Sequence, residues 1–470
     1  MSPHTIHSLH DAVKAIATRQ ISSVELTQLC IAKAKRLNPR LNCFIRIEED
    51  SALNQAKSAD EALSRGMTMG PLHGVPIAIK DMFYDPARET SSGSRLRAGF
   101  ISHQKARILS LIENAGAVNI GALNMTEFAL GPTGHNLIHG HCRNAWNPEF
   151  IAGGSSSGSG TALAAGIVFA TLGSDTGGSV RLPASANGVL GLKATYGRIS
   201  KAGSMPLSWS TDHVGPLART SHDLATLLGV IAGHDPADPS SSRRAVPDYE
   251  SLLQNGVRGL RIGVPENYYF DSIDAAVAPL IESALQALES LGAIRVPVRV
   301  PTPEHLNELS RVLVYSEASA LHGHWLRHQA SDYSPQVRTR AMTGIAIPAA
   351  SYLEAQLLRP MILRKFVTEV YAHCDVLITP TIAIEVPTIA ATDVGTNPSM
   401  WPIIARLVHC TAGFNYLGIP AMSVPVGFTT NGLPAGMQLV SRPFAETRLL
   451  QVACAYESVT SWHLRRPSDT

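Results

Sequence analysis

The sequence predicts an α/β protein. Short apolar runs alternate with longer helix-patterned stretches, and glycine or proline marks many of the junctions. Hydrophobic residues make up 45% of the 470, enough for a large core without covalent staples. Two glycine-serine runs, Gly153–Gly160 and Gly173–Arg181, lie close together in the chain. Glycine admits positive φ and close backbone approach to a ligand, so this density predicts a site of serine hydroxyls and backbone N–H groups.

The elements follow in order. Residues 4–66 read as helical. Ser22-Ser23-Val24-Glu25 is a capping box, a hydroxyl cap with a glutamate three residues on. A second helix is expected from Asp50-Ser51 to Gly66. Gly70-Pro71 and Gly74-Val75-Pro76 then break the chain before Ile77-Ala78-Ile79, a buried strand that delivers Lys80-Asp81 at its end. Lys105 to Ala115 is helical and stops at Gly116, and Val118-Asn119-Ile120 is the next strand. Ser156 to Ala165, small and alanine-rich, suits a helix packed closely on a sheet, and Phe169–Leu172 is again strand-like.

The second half continues the alternation. Leu260–Val264 reads as a strand and Ala275–Leu291 as a helix ended by Gly292. Residues 303–327 and 349–373 read as helices, and Val376-Leu377-Ile378 as a strand running into Thr379-Pro380-Thr381. Residues 381–400 have the composition of a surface loop. Ala421–Val426 and Met437–Val440 are late strands, and Ala445–Ser458 is a closing helix. The polar, Pro/Ser-rich segment 234–250 is the best linker candidate, and there is no internal repeat.

Composition excludes several classes. Thirty-nine basic residues against 37 acidic ones leave no electrostatic footprint for nucleic acid. No apolar run is long enough to cross a bilayer, and the N-terminus lacks a secretory pattern, so a cytoplasmic location is expected. Cys30, Cys43, Cys142, Cys374, Cys410 and Cys454 form no C-x-x-C pair and are expected to be reduced and buried. His135, His139 and His141 lack the spacing of a zinc site and read as a loop lining a cleft. His4, His7 and His10 read as surface residues at a helix start.

Three chemistries compete for the glycine-serine runs. A phosphate-binding P-loop fails because no Lys-Ser or Lys-Thr follows the glycines. Gly154-Ser155-Ser156-Ser157-Gly158 matches the nucleophile elbow G-x-S-x-G, for which His463 or His409 is a nominal base. The third chemistry uses a neutral lysine to activate one serine through another. Lys80 at a strand end is the candidate, and burial would stabilise its neutral amine.

At this point the chain resembles the amidase signature family. The resemblance rests on Gly74–Asp81, Gly153–Gly158, Gly173–Ala184, Asp375–Thr381 and Asn415–Ala421, in the family's order and across nearly the whole chain. It implies a single domain over 1–470, with a large mixed β-sheet covered by helices on both faces, and no cofactor or metal. It implies a Ser-cisSer-Lys triad with Ser179 as nucleophile, Ser155 as the bridging serine beside a cis peptide, and Lys80 as base. Backbone N–H groups of Thr176, Gly177, Gly178 and Ser179 would hold the oxyanion. Asp175 and Arg181 would support the nucleophile loop, with Ser156 beside them.

Met125, Tyr315 and Trp401 are candidates for the substrate pocket. The expected reaction is hydrolysis of a small carboxamide or N-acyl amide through an acyl-enzyme. The expected partners are a small-molecule amide and possibly a second copy in a homodimer, with no nucleic acid and no membrane. The alternative is the glutaminase subunit of a tRNA-dependent amidotransferase. That subunit usually carries an aspartate where alignment on Asn415 puts Val408, while Arg338 or Arg340 is placed to bind a substrate carboxylate.

Overall fold

A computed structural model describes residues 6–468. Its frame is one sheet of eleven strands. In chain order these are β1 (Phe44–Ile47), β2 (Pro76–Lys80), β3 (Val118–Leu123), β4 (Ala170–Asp175), β5 (Leu190–Lys193), β6 (His213–Ala218), β7 (Arg261–Pro265), β8 (Ile294–Val298), β9 (Val376–Pro380), β10 (Ala421–Phe428) and β11 (Pro434–Val440). The spatial order is β1-β3-β2-β4-β6-β5-β10-β11-β9-β7-β8. The sheet is mixed. β3-β2-β4 and β9-β7-β8 are parallel wings, and the middle from β4 to β9 is antiparallel.

Alternation along the strands shows that both faces are covered. Ile77 and Ile79 of β2 pack into one hydrophobic cluster, while Ala78 between them packs into another. In β9, Val376 and Ile378 face the first of these and Leu377 faces a third. Successive side chains of a strand point to opposite faces, so a strand buried on both sides reads as a continuous apolar run. Each such aliphatic side chain contributes about 1.5–3 kcal/mol on burial.

Local signals set several helix ends. Ser22 Oγ accepts from the Glu25 N–H at 3.0 Å while the Glu25 carboxylate accepts from the Ser22 N–H at 2.8 Å, starting the helix Ser23–Leu41. Ser8 and Asp11 form a second capping box ahead of Leu9–Ala17. The helical reading of 4–66 is interrupted by β1, which pairs antiparallel with β3 at the sheet edge. Its four residues are too few to show a period. His4 lies outside the described residues.

β5, β6 and β8 also escape the sequence reading, as does the helix Met400–Val408 at the end of the expected loop. The segment 234–250 is stitched to residues 197–201. Ser242 N–H donates to Gly197 O at 2.7 Å, Lys201 N–H to Asp238 Oδ2 at 2.8 Å, and the Arg198 guanidinium to Arg244 O at 3.0 Å. Among the described residues no helix is long and apolar enough to cross a membrane.

Candidate active site

The site forms at the carboxyl ends of two adjacent parallel strands, the usual place for one in an α/β sheet. Register pairs Ile79 of β2 with Leu172 of β4, so Lys80 and the Ser174-Asp175 end of β4 emerge side by side. Lys80 is fully buried. Its Nζ lies 2.8 Å from Ser155 Oγ, 3.1 Å from Ser156 Oγ and 2.7 Å from Ser174 Oγ. Burial pushes the amine down to about 7, against the opposing charges of Asp212 and Asp175. A buried lysine surrounded by hydroxyls thus has an accessible neutral form.

The loop that carries Ser155 has a cis Gly154–Ser155 peptide. Ser155 O accepts from the Thr126 N–H at 3.1 Å, and Ser156 N–H donates to Ser179 O at 3.2 Å. Ser156 Oγ also donates to Ser174 O and accepts from the Ser174 N–H. The Ser156 hydroxyl therefore ties the first glycine-serine run to the end of β4 and to Lys80. The helix Ser157–Ala164 follows directly, every residue of it buried. Small side chains make that close approach possible.

The second run turns around Asp175. Its Oδ1 accepts from the Gly178 N–H at 2.8 Å and its Oδ2 from the Val180 N–H at 3.1 Å. Arg181 clamps the same carboxylate with Nε at 3.0 Å and Nη2 at 2.9 Å. Burial alone would raise this carboxyl, but the Arg181 charge and hydrogen bonds, with Lys193 and Asn415, hold it well below the usual carboxylate range. The remaining guanidinium donors reach Gln438 Oε1 and Asn415 Oδ1, both at 2.6 Å. Gly178 has φ +135°, and a Cβ there would meet Thr411 Oγ1 at 2.5 Å. At Gly177 a Cβ would meet nothing within 4 Å, because that residue faces the cavity.

This cavity holds about 290 Å³. Thr176, Gly177 and Ser179 form one wall, and Tyr315, Arg340 and Trp401 lie on others. Ser179 is 8% exposed. Tyr315 and Trp401 meet edge to face, with ring centroids 5.9 Å apart. Arg340 is buried, donates from Nη1 to Leu130 O at 2.6 Å, and has Nη2 3.5 Å from the Tyr315 hydroxyl. Its Nε has no acceptor among the described residues. Met125 is absent from the lining. It is fully buried in the core, because the peptide of its segment is pinned by Asn136.

The expected residues fall into two groups. Lys80, Ser155 and Ser156 converge directly, and Ser179 joins them through the Ser156 N–H. Arg338 does not line the cavity, whereas Arg340 does. The sequence reading assigned no role to Ser174, although strand alternation beside Asp175 marks it. It also missed Asp212, which accepts from Thr176 Oγ1 at 2.6 Å and anchors the cavity wall from behind. Among the described residues neither His409 nor His463 shows a hydrogen bond to any of these serines. His409 contacts Tyr268 O and stacks on the Tyr268 ring. His135 and His141 pack ring to ring, and bond Thr392 and Asp393.

The chain is similar to known proteins over its whole length. The Amidase family model matches residues 25–450. A glutamyl-tRNA(Gln) amidotransferase subunit of Chloroflexus aurantiacus is 39% identical over 480 residues, covering 97% of both chains. The solved structure of the same-named subunit from Thermotoga maritima is 32% identical at TM-score 0.80, covering 96% of this chain and 94% of that one. A protein solved in work on a vestigial complex and the origins of an s-triazine catabolic enzyme is 32% identical at TM-score 0.90, covering 96% and 98%.

These relatives correct one expectation. A small-molecule amide, no nucleic acid and at most a homodimer do not stand as the partner set, because the relatives include subunits of a tRNA-dependent enzyme by name. Balanced net charge describes one chain. In an assembly, another subunit can carry the basic surface that meets RNA.

Proposed function

The chain belongs to the amidase signature family, and we propose that it is the amide-cleaving subunit of a tRNA-dependent amidotransferase, or of an assembly built like one. In this reading it releases ammonia from a glutamine-type carboxamide. The observation that carries the chemistry is the buried Lys80 amine, 2.8 Å from Ser155 Oγ and lowered to about 7. The full-length likeness to subunits of glutamyl-tRNA(Gln) amidotransferase supports the assembly.

The mechanism follows from these positions. Neutral Lys80 takes the Ser155 proton as Ser155 takes that of Ser179. Ser179 Oγ attacks the amide carbonyl, and the tetrahedral oxyanion is held by N–H groups of the 176–179 loop. Removing one such donor costs about 10²–10³ in rate. As the C–N bond breaks, the proton returns through Ser155 to the leaving nitrogen. Water then attacks the acyl-enzyme by the same relay, freeing the acid and Ser179. Arg340 at the buried side of the cavity holds the substrate's distal carboxylate, which places the carboxamide against Ser179.

The test is ammonia release from glutamine by the chain alone, and with amidotransferase partner subunits and glutamyl-tRNA(Gln). Release that rises with the partners and yields amidated tRNA supports the proposal. Release indifferent to partners and tRNA rejects the amidotransferase part, and none under any condition rejects the whole.

A further inference from the structure

The helix Pro303–His328 meets the site on two of its sides. Tyr315 lines the cavity. Glu317, two residues on and so about 200° around the helix, is buried against the 207–212 turn. Its carboxylate meets only donors. Oε2 accepts from the Ser208 hydroxyl at 2.6 Å and from the Ser210 N–H at 3.1 Å. Oε1 accepts from the Ser210 hydroxyl at 2.6 Å, and from Tyr352 and Gln356 of the helix Ala349–Val370 at 3.1 and 3.3 Å.

The turn that Glu317 holds leads to the loop beside Ser179. The N–H groups of Leu207 and Ser208 donate to Asp212 Oδ2 at 2.8 and 2.9 Å. Asp212 Oδ1 accepts from Thr176 Oγ1 at 2.6 Å. Thr211 Oγ1 donates to Ser208 Oγ at 2.7 Å, which leaves the Ser208 hydroxyl to donate to Glu317. Thr176 is thereby fixed through its side chain, on the cavity wall.

We propose that Glu317 is a positioning residue for this loop. Through Ser208 and Asp212 it fixes Thr176, and so aims the loop N–H groups at the carbonyl oxygen of the reacting amide. It touches no substrate. This rests on the amide-hydrolase reading of the site, with glutamine as the amide. A displacement of about 1 Å set from a distance costs on the order of 10²-fold in rate, so the hold is felt in turnover and not in binding.

The test is ammonia release from glutamine, under a condition where the unaltered chain releases it. Glu317→Gln keeps the shape but turns one acceptor oxygen into an NH2 group facing donors. It should lower kcat about 10- to 100-fold with KM within about twofold. Thr176→Val, which removes the hydroxyl held by Asp212, should cost about as much, and the double variant little more than either. Tyr352→Phe removes a donor to the same carboxylate from outside the turn, and should leave kcat within about twofold. Should Glu317→Gln not fold, Ser208→Ala breaks the same chain and takes its place with the same expectations. Additive losses, an effect on KM alone or unchanged kcat overturns the inference and leaves the amide-hydrolase reading standing. A loss in Tyr352→Phe as large as in Glu317→Gln also overturns it, because the turn would then not be the route. No release by the unaltered chain under any condition overturns both.

Discussion

The two sides of the cavity are built in opposite ways. On the Ser179 side, every residue from 151 to 165 is buried, and the proposed working groups come from Lys80 and two short runs close in the chain. The facing side is assembled from helices far apart in the chain: Pro303–His328 brings Tyr315 and three other residues, Met400–Val408 brings Trp401 and four others, and Pro335–Thr343 brings Arg340. One of those helices also keeps a large apolar residue in solvent, with Met342 47% exposed on Pro335–Thr343. Bond-making needs hydroxyls and N–H groups within about 3 Å of one another, which forces small residues and tight turns. Shaping a cavity needs only side chains of the right size and charge, from wherever the chain returns.

The contrast predicts effects of different kind and size. Ser179→Ala should lower kcat for ammonia release by about 10⁴-fold or more, as should Lys80→Met, and the double variant should lose little beyond either single one. Additive losses would show that the two residues do not act as one unit. Arg181→Met should cost about 3–5 kcal/mol in urea unfolding, because it leaves the Asp175 carboxylate buried without its cation. A smaller loss would mean that Asn415 and the loop N–H groups suffice for Asp175.

On the facing side, Arg340→Gln should act on binding. KM for a carboxylate-bearing amide should rise about 10- to 100-fold with a smaller change in kcat. A collapse of kcat at unchanged KM would move Arg340 into the chemistry and erase the division. The smallest effect is graded by pH. In the proposed mechanism the neutral Lys80 amine is the active form, and burial lowers it to about 7. Activity should therefore rise with pH through about 7 and level off above, falling about tenfold per unit on the acid side. A profile flat from about pH 5 to 8 in kcat/KM would remove Lys80 as the base.

The same division decided what could be read from the chain. β2 and β4 were legible because continuous apolar runs end in polar motifs, and their register then brings Lys80 to Ser174. β1 and β8 were not, because a four- or five-residue edge strand of mixed burial shows no period. Ser155, Ser156, Asp175 and Arg181 stood out by motif. The partners that complete Arg181 lie at Thr411, Asn415 and Gln438, more than two hundred residues away.

By itself, the sequence determined the α/β class and the family, and it singled out the lysine and serines that the fold gathers at one strand end. Those depend on local backbone demands, where glycines, serines and a strand-end lysine must be near neighbours in the chain. Tertiary structure alone decided that Arg340 rather than Arg338 enters the cavity and that Met125 stays in the core. Which face of a helix meets a cavity depends on packing against elements far away in the sequence, and no local pattern records that.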